Sequence, residues 1–175
     1  MNRQRGFSLV ELMVVVAVIA VLGAISVPNM VTGIPKYRVK AAGRDLCSKL
    51  RRARSIAVKE QRNVQVIFHE DTGRYVVDGA FFPITSSLAR YYGSGVSYGF
   101  GSATESAASG GGGLPSDPVT FNGSTPTVTF NSRGIGNAGS VYLSNNRGDA
   151  YCVVVSSSGR VRLRRWTGGQ WYPPD

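Results

Sequence analysis

The first 27 residues constrain this chain more than any other segment. A short basic leader, residues 1–6, precedes a nearly uninterrupted apolar run over residues 7–27. Three polar side chains interrupt that run: Ser8, Glu11 and Ser26. A helix rises 1.5 Å per residue, so about 20 apolar residues span the hydrocarbon core of a bilayer. The run therefore predicts a transmembrane helix over residues 7–27.

The carboxylate of Glu11 is the unusual feature of the run. A charge within a membrane span costs roughly 2.5–3.5 kcal/mol on insertion scales, so it should have a partner. Cleavage between Gly6 and Phe7 would create an amino-terminal cation close to Glu11, on the same chain or on a neighbour. Ordinary secretory signals are cut after the apolar region at small residues, and residues 27–30 are poorly suited to that. Hydropathy alone leaves an alternative, an uncleaved single-pass anchor with its basic amino terminus in the cytoplasm.

Residues 6–12, followed by the apolar run and Pro28, resemble the class III leader of type IV pilins and type II secretion pseudopilins. The match combines a cleavage glycine, an aromatic first mature residue, a glutamate and the apolar length. It implies that a prepilin peptidase of the bacterial inner membrane cuts between Gly6 and Phe7 and methylates the new amine. It also implies that the helix forms a filament core, where Glu11 pairs with the amino terminus of an adjacent pilin or pseudopilin.

The chain is strongly basic. It carries 20 basic and 10 acidic side chains, and loss of the leader would reduce the formal charge from +10 to +8. Such an excess indicates an anionic partner or surface and says nothing about the fold. The length left after the span suffices for one modest domain.

The segment 28–62 is predicted to extend the helix as an amphipathic basic region. Its apolar residues recur at spacings of three and four, which places on one face Val39, Ala42, Leu46, Leu50, Ala53 and Ala57. We interpret its basic residues as a solvated surface, in preference to a site for DNA or anionic headgroups. Pro28 and Pro35 are expected to bend or melt the helix where it leaves the membrane.

Residues 63–175 have the alternating pattern of strands and form the predicted head domain. The expected strands cover residues 64–68, 74–78, 119–121, 127–131, 140–143, 150–156 and 160–166. Residues 93–113, rich in glycine, serine and alanine, are predicted to form a loop. A helix followed only by strands indicates an α+β fold, with one long amino-terminal helix packed across one face of an antiparallel sheet.

The two cysteines, Cys47 on the helix and Cys152 on a strand, leave two interpretations open. The head is expected outside the cytoplasm, where a disulfide is permitted. If Cys152 faces the helix, Cys47 could reach it. Two small buried hydrophobic residues are an equally good interpretation, because two cysteines at this distance make no disulfide framework.

The second informative segment is a serine-rich turn followed by an arginine-rich strand, residues 156–166. Alternate side chains of a strand share a face, so Arg160, Arg162 and Arg164 are expected in a row at intervals of about 7 Å. Such a row suits a polyanion, because each guanidinium fork can hold a phosphate with two hydrogen bonds.

Arg165 and Trp166 are expected to support this binding, the tryptophan by stacking on a base or an arginine. The alternative for the strand is a solvated, charged edge that discourages pairing between sheets. Because no acidic residues are interleaved with the three arginines, we favour binding.

Residues 130–134, 139–143, 151–156 and 159–162 resemble the carboxy-terminal half of the GspH/FimT group of minor pilins and pseudopilins. FimT-like members are implicated in DNA uptake through a Gly-Arg-x-Arg motif, which residues 159–162 fit. This resemblance implies that DNA, bound without sequence preference, is a partner of the head. GspH-like members imply the alternative, a type II secretion pseudopilin that contacts proteins and does not bind DNA.

No catalytic site is predicted. The only histidine, His69, precedes a turn, and with two cysteines it gives no zinc pattern. No serine lies in a nucleophile-elbow motif. Glu70 and Asp71 are turn residues with too few oxygen ligands nearby for calcium. We therefore expect a protein that is not an enzyme and has neither a cofactor nor a metal.

Overall fold

A computed structural model describes residues 7–78, 84–108 and 112–174, without the side chains of residues 25–32 and 84. The leader, including Gly6, lies outside the described residues. The chain divides into two compact units, Met1–Ile34 and Pro35–Asp175.

The amino-terminal helix α1 covers Leu9–Lys59 and so ends slightly before the predicted residue 62. Ser8 caps its start, because the Glu11 N–H donates to Ser8 Oγ at 3.2 Å and thereby gains a partner that the helix cannot supply. Of the two expected effects, bending or melting, the second is wrong, because the described backbone is helical at both Pro28 and Pro35. A proline removes one N–H donor, and the neighbouring turns can retain the helix around it.

The first unit exposes its apolar side chains. Between Phe7 and Leu22, the exposed fractions of the large apolar residues run from 48% at Val15 to 79% at Phe7. Among the residues whose side chains are described, no helix has an apolar stretch long enough to cross a membrane. An apolar surface of this extent indicates that another molecule covers it.

The described part of the second unit contains nine strands in two antiparallel sheets. The first sheet contains β1 Val64–His69, β2 Arg74–Asp78, β3 Ile84–Ser87 and β5 Thr127–Phe130, in the spatial order β3-β2-β1-β5. The second contains β4 Val96–Tyr98, β6 Gly139–Asn145, β7 Ala150–Val155, β8 Val161–Thr167 and β9 Gln170–Tyr172, in the spatial order β4-β6-β7-β8-β9. A short helix, α2 Leu88–Tyr92, lies between β3 and β4.

The α+β fold with a helix on antiparallel strands is confirmed, whereas the expectation of one sheet is wrong. Strands β3, β4 and β9 were not predicted; each has only three or four residues, and β4 lies within the segment predicted as a loop. The predicted strand at residues 119–121 is reduced to an isolated bridge between Val119 and Val141.

One face of α1 and the inner faces of both sheets form the main core. All six apolar residues of the predicted helix face are buried, with at most 1% exposed. The expected alternation in β1 is also present, since Val64, Val66 and Phe68 are buried. Phe68 stacks on Phe121 with 5.6 Å between ring centroids, and Val153 of β7 belongs to the same cluster.

A polar cluster joins α1 to the first sheet. Lys49 Nζ donates to Asp45 Oδ2 and to Ser86 Oγ, both at 2.7 Å. It also donates to the Tyr75 hydroxyl at 3.1 Å. Burial acts to raise the pKa of Asp45, but hydrogen bonds from Lys49, Tyr92 and Tyr75 outweigh burial and hold that pKa below its ordinary value. The hydrogen bonds of Lys49 therefore hold α1 against the first sheet.

Much of the predicted loop over residues 93–113 packs on the outer face of the second sheet. The Ala107 N–H donates to the Tyr142 hydroxyl at 2.9 Å, and Trp171 Nε1 donates to the Glu105 carbonyl at 2.8 Å. Ala107 and Tyr142 are fully buried in a second, smaller hydrophobic cluster. The segment includes β4 as well, so describing all of it as a loop was wrong.

Both cysteines are buried and free, so the disulfide considered between Cys47 and Cys152 is not formed. Cys47 belongs to the main core, whereas Cys152 belongs to the second cluster on the opposite face of β7. Strand alternation is the physical reason: Tyr151 and Val153 face the helix, which turns Cys152 away from it. Burial raises the pKa of both thiols.

We expect both thiols to be protected in the folded protein and reactive after unfolding. At mildly alkaline pH, iodoacetamide should label neither Cys47 nor Cys152 in the native chain, because each thiol is buried and held in its protonated form. Both should be labelled in denaturant without any reductant, and intact mass spectrometry counts the labels. A denatured, unreduced chain that took up no label would show that the two cysteines are joined.

Candidate functional site

The turn between β7 and β8 fixes the start of the arginine-rich strand. The Gly159 N–H donates to the Ser156 carbonyl at 2.8 Å, and the Ser156 N–H donates to the Arg160 carbonyl at 3.0 Å. The Ser156 hydroxyl accepts the Arg160 N–H at 3.2 Å and lies 2.9 Å from the Ser158 hydroxyl. These bonds close the hairpin and set the direction in which Arg160 leaves the turn.

Position 159 requires glycine for two reasons. Its φ of +72° lies in the left-handed region, which residues with a Cβ rarely adopt. A Cβ would also overlap the carbonyl oxygen of Gly134. That oxygen accepts a hydrogen bond from Arg54 Nε at 2.9 Å. Helix α1, the turn at Gly134 and the arginine hairpin therefore meet at one point.

The three arginines predicted to form a row do lie together. Across the β7–β8 ladder, Arg162 is opposite Val154 and Arg164 is opposite Cys152. Since Cys152 faces away from α1, the two arginines also lie on the outer face of the sheet. With Arg160 they line a surface hollow of about 290 Å³, together with Val154, Ser156 and Ser158.

Arg165 does not extend this row. It is opposite Tyr151 in the ladder, and Tyr151 is buried in the main core on the helix side. Burial raises the pKa of Tyr151, and the nearby charge of Arg165 acts against that rise. Arg165 Nε donates to Thr167 Oγ1 at 2.9 Å. The structure thus separates Arg165 from the arginines that it was expected to support.

Trp166 lies beside the row on the same outer face. Its ring packs edge to face against Trp171, with 5.3 Å between centroids. Trp171 in turn contacts Tyr142 at 5.7 Å and is bonded to the Glu105 carbonyl. Trp171 therefore covers the sheet, while Trp166 is half-buried next to the arginines.

The hollow has the chemistry of a site for phosphate or another oxyanion. Among the described residues that line it, there are three guanidinium groups and two serine hydroxyls but no carboxylate. Guanidinium forks bind phosphate oxygens with paired, charge-assisted hydrogen bonds, and hydroxyls add donors. Sequence reasoning identified the arginines and missed Ser156 and Ser158 as lining residues. The signal was that Ser158 and Ser156 precede Arg160 by two and four residues, which continues the row back through the turn.

The other predicted sites are placed only in part. Phe7 is 79% exposed, and Glu11 lies in the first turn of α1 beside the capping Ser8. Gly6 lies outside the described residues. Within the described ranges, no three His, Cys, Asp or Glu side chains are grouped so that they could hold a metal ion.

The long amino-terminal helix packed on antiparallel sheets defines the class of pilin and pseudopilin subunits. Two family models match the chain. The one described as type II transport protein GspH matches residues 42–159, and the one described as the prokaryotic N-terminal methylation motif matches residues 1–27. The first match covers more than half of the chain, and the chain therefore belongs to the GspH family of type II transport proteins.

Individual relatives are more distant. FimA, the type IV major fimbrial protein of Dichelobacter nodosus, is 34% identical over 86 residues, which are 49% of this chain and 54% of FimA. The match thus spans about half the length of that curated relative. The minor pseudopilin EpsH from the type 2 secretion system of Vibrio cholerae has a TM-score of 0.50 and 14% identity, covering 72% of this chain and 94% of EpsH, and shows the fold alone. The type IV minor pilin FimU of Pseudomonas aeruginosa has a TM-score of 0.47 and 16% identity, over 73% and 89% of the two chains.

We expect Gly159→Ala to lower the free energy of unfolding by roughly 2–4 kcal/mol, because it adds both backbone strain and an overlap with Gly134. Gly168→Ala is the matched control. Gly168 has a φ of +60°, but a Cβ added there would have no neighbouring atom within 4 Å, so only backbone strain of about 1 kcal/mol applies. Urea denaturation of both variants measures the difference. Equal losses would contradict the close approach of the hairpin to Gly134.

Proposed function

We propose that this chain is a non-enzymatic minor subunit of a type IV pilus or a type II secretion pseudopilus, held in the bacterial inner membrane by residues 7–27 before assembly. The methylation-motif match over residues 1–27 supports this proposal. The exposed apolar surface between Phe7 and Leu22 also supports it, since lipid would cover that surface in the membrane and neighbouring subunits would cover it in the filament. The head then lies in the periplasm or, after assembly, on the filament.

In this proposal a prepilin peptidase cuts between Gly6 and Phe7 and methylates the new amine. The Ser8 cap holds Glu11 in the first turn of α1, four residues after Phe7. In a filament, the carboxylate of Glu11 pairs with the amine of an adjacent pilin or pseudopilin. That pair compensates a charge that would otherwise be costly in an apolar core.

We further propose that the head binds DNA without sequence preference through Arg160, Arg162 and Arg164. The observation that carries this proposal is the hollow in which three guanidinium groups and two hydroxyls converge without a carboxylate. Contacts of this kind reach phosphates, which position a duplex and carry no sequence information. Trp166 flanks the contact surface, and Arg165 has no direct part because it lies on the other face.

A second function has one observation in its favour, the match to a family described as a type II transport protein. As a secretion pseudopilin, the head would bind other pseudopilins and ignore DNA. The arginine row would then contact acidic groups of a neighbouring subunit.

Processing gives the first test. Expression with a prepilin peptidase should lower the intact mass by residues 1–6 and add one methyl group, relative to cells without the peptidase. Gly6→Val should abolish that change, because a branched side chain replaces the glycine at the cut. Glu11→Ala should be processed normally but should be lost from purified filaments, which immunoblotting of the filament fraction measures. An identical mass with and without the peptidase would favour the uncleaved single-pass anchor.

DNA binding gives the second test, on the full chain in a neutral detergent. The affinity for a labelled duplex of arbitrary sequence should fall with salt, at a log–log slope of about −0.9 for each phosphate neutralised. The triple variant Arg160→Ala/Arg162→Ala/Arg164→Ala should lose most of the affinity and of the slope, because its phosphate contacts are gone. Fluorescence anisotropy at several salt concentrations measures both quantities.

The matched control removes the same charge elsewhere. Arg74, Arg90 and Arg133 are exposed and do not line the hollow, so their triple alanine variant should keep most of the wild-type affinity. If both triple variants lost the same affinity for DNA, the loss would be due to net charge and not to the hollow. If the head of the folded wild-type chain does not bind DNA even at low salt, the secretion function is the one that remains.

A further inference from the structure

The arginine row borders a second hollow on the other side of β8. This second hollow, the edge groove, has a volume of about 500 Å³. It is lined by Arg51, Arg162, Leu163, Arg164, Trp171, Pro173 and Pro174. Arg162 and Arg164 line both hollows, so these two side chains form a ridge between them. An anion that crosses the ridge meets guanidinium groups on both sides.

The edge groove exists because β8 is only partly covered by the last strand. Strand β9 pairs with residues 165–167 of β8 and ends at Tyr172. Pro173 and Pro174 follow, and a proline has no N–H to donate to a neighbouring strand. Among the described residues, the part of β8 that precedes Arg165 therefore has no strand paired along the edge that faces away from β7.

Arg51 of α1 is held at this open edge. Its Nη2 donates to the Val161 carbonyl at 3.2 Å. Ser156 is hydrogen-bonded to Arg160 across the hairpin, so the backbone carbonyl of Arg160 points toward β7. Because backbone groups alternate in direction along a strand, the N–H and carbonyl groups of Val161 and Leu163 point away from β7, toward the open edge. A guanidinium group has five N–H donors, and one bond to a carbonyl fixes its position while it leaves others for a ligand. Arg51 is also exposed to solvent.

We propose that Arg51 is a further DNA-binding residue, and that a bound duplex crosses the ridge from the hairpin hollow into the edge groove. The inference rests on the proposed DNA binding of the head. The edge groove has three guanidinium groups and, among its described lining residues, no carboxylate. A phosphate backbone repeats its charge along the strand, so it can occupy both hollows at once, whereas a single small anion occupies one. The contact surface therefore runs from the Ser156 turn to helix α1.

The neighbouring arginines of α1 differ from Arg51 in ways that make a controlled test possible. Arg52 is exposed and lines neither hollow. Arg54 donates to the Gly134 carbonyl and braces the hairpin. Arg52→Gln therefore removes the same charge from the same helix without affecting the proposed contact surface.

The test is a salt series of DNA titrations on the full chain in a neutral detergent, with a labelled duplex as the probe. Arg51→Gln should weaken binding and reduce the log–log salt slope by about 0.9, which corresponds to one phosphate contact. Arg52→Gln should leave the slope at the wild-type value. Arg51→Lys should restore the slope, since a lysine keeps the charge although it loses the planar fork.

Three results would overturn the inference, and each differs from a failure of the proposed function. An Arg51→Gln slope equal to the wild-type slope would exclude a phosphate contact at residue 51. A slope that falls equally in Arg51→Gln and Arg52→Gln would reduce the effect to net charge. A slope that falls equally in Arg51→Gln and Arg51→Lys would contradict a phosphate contact carried by the charge at residue 51. If the proposed function itself is wrong, the wild-type chain shows no salt-sensitive binding to DNA.

Discussion

Burial of one face of α1 between two sheets is the constraint on which the rest of the head depends. Neither sheet can cover its inner face alone, and the helix supplies a continuous apolar stripe that both sheets share. Gly43 marks a close approach, where an added Cβ would lie 3.1 Å from Leu163 of β8. Basic side chains of α1 also hold the helix in place. Lys49 donates to Ser86 of the first sheet, whereas Arg51 donates to the carbonyl of Val161 in β8 and Arg54 to that of Gly134. The helix thereby fixes the position of the hairpin as well as the core.

The outer face of the second sheet is divided between structure and surface. Toward β6, residues 100–107 cover it and bury Tyr142 and Cys152. Toward the hairpin it is open, and Arg162 and Arg164 lie there. One face of a single sheet is thus an apolar cluster at one end and a cationic surface at the other. The boundary runs between Cys152 and Arg164, which are opposite each other in the ladder. Because Trp171 belongs to the covered part, it cannot leave that position to stack on a base without exposing the cluster.

Periodicity in the sequence predicted those elements that are long enough to repeat. The helix face from Val39 to Ala57 follows from apolar spacings of three and four, and the arginine row follows from a spacing of two. The short strands β3, β4 and β9 have no such repeat and were missed. Residues 93–113 were misread because small residues are typical of loops and also of segments packed closely on a sheet. The pairing of Cys47 with Cys152 depended on which face of β7 turns toward the helix, and spacing alone does not decide that.

The sequence by itself determined the class of this protein, because the leader, the apolar run and Glu11 are local features that need no fold to be recognised. It also determined that Arg160, Arg162 and Arg164 share a face, since a strand alternates by its own backbone geometry. Only the tertiary structure decided which face that is, and that Arg165 lies on the other one. It also brought Arg51 to the row from another part of the chain. Such convergence depends on sheet register and on the place where α1 docks, and these are set by long-range packing that leaves no local pattern in the sequence.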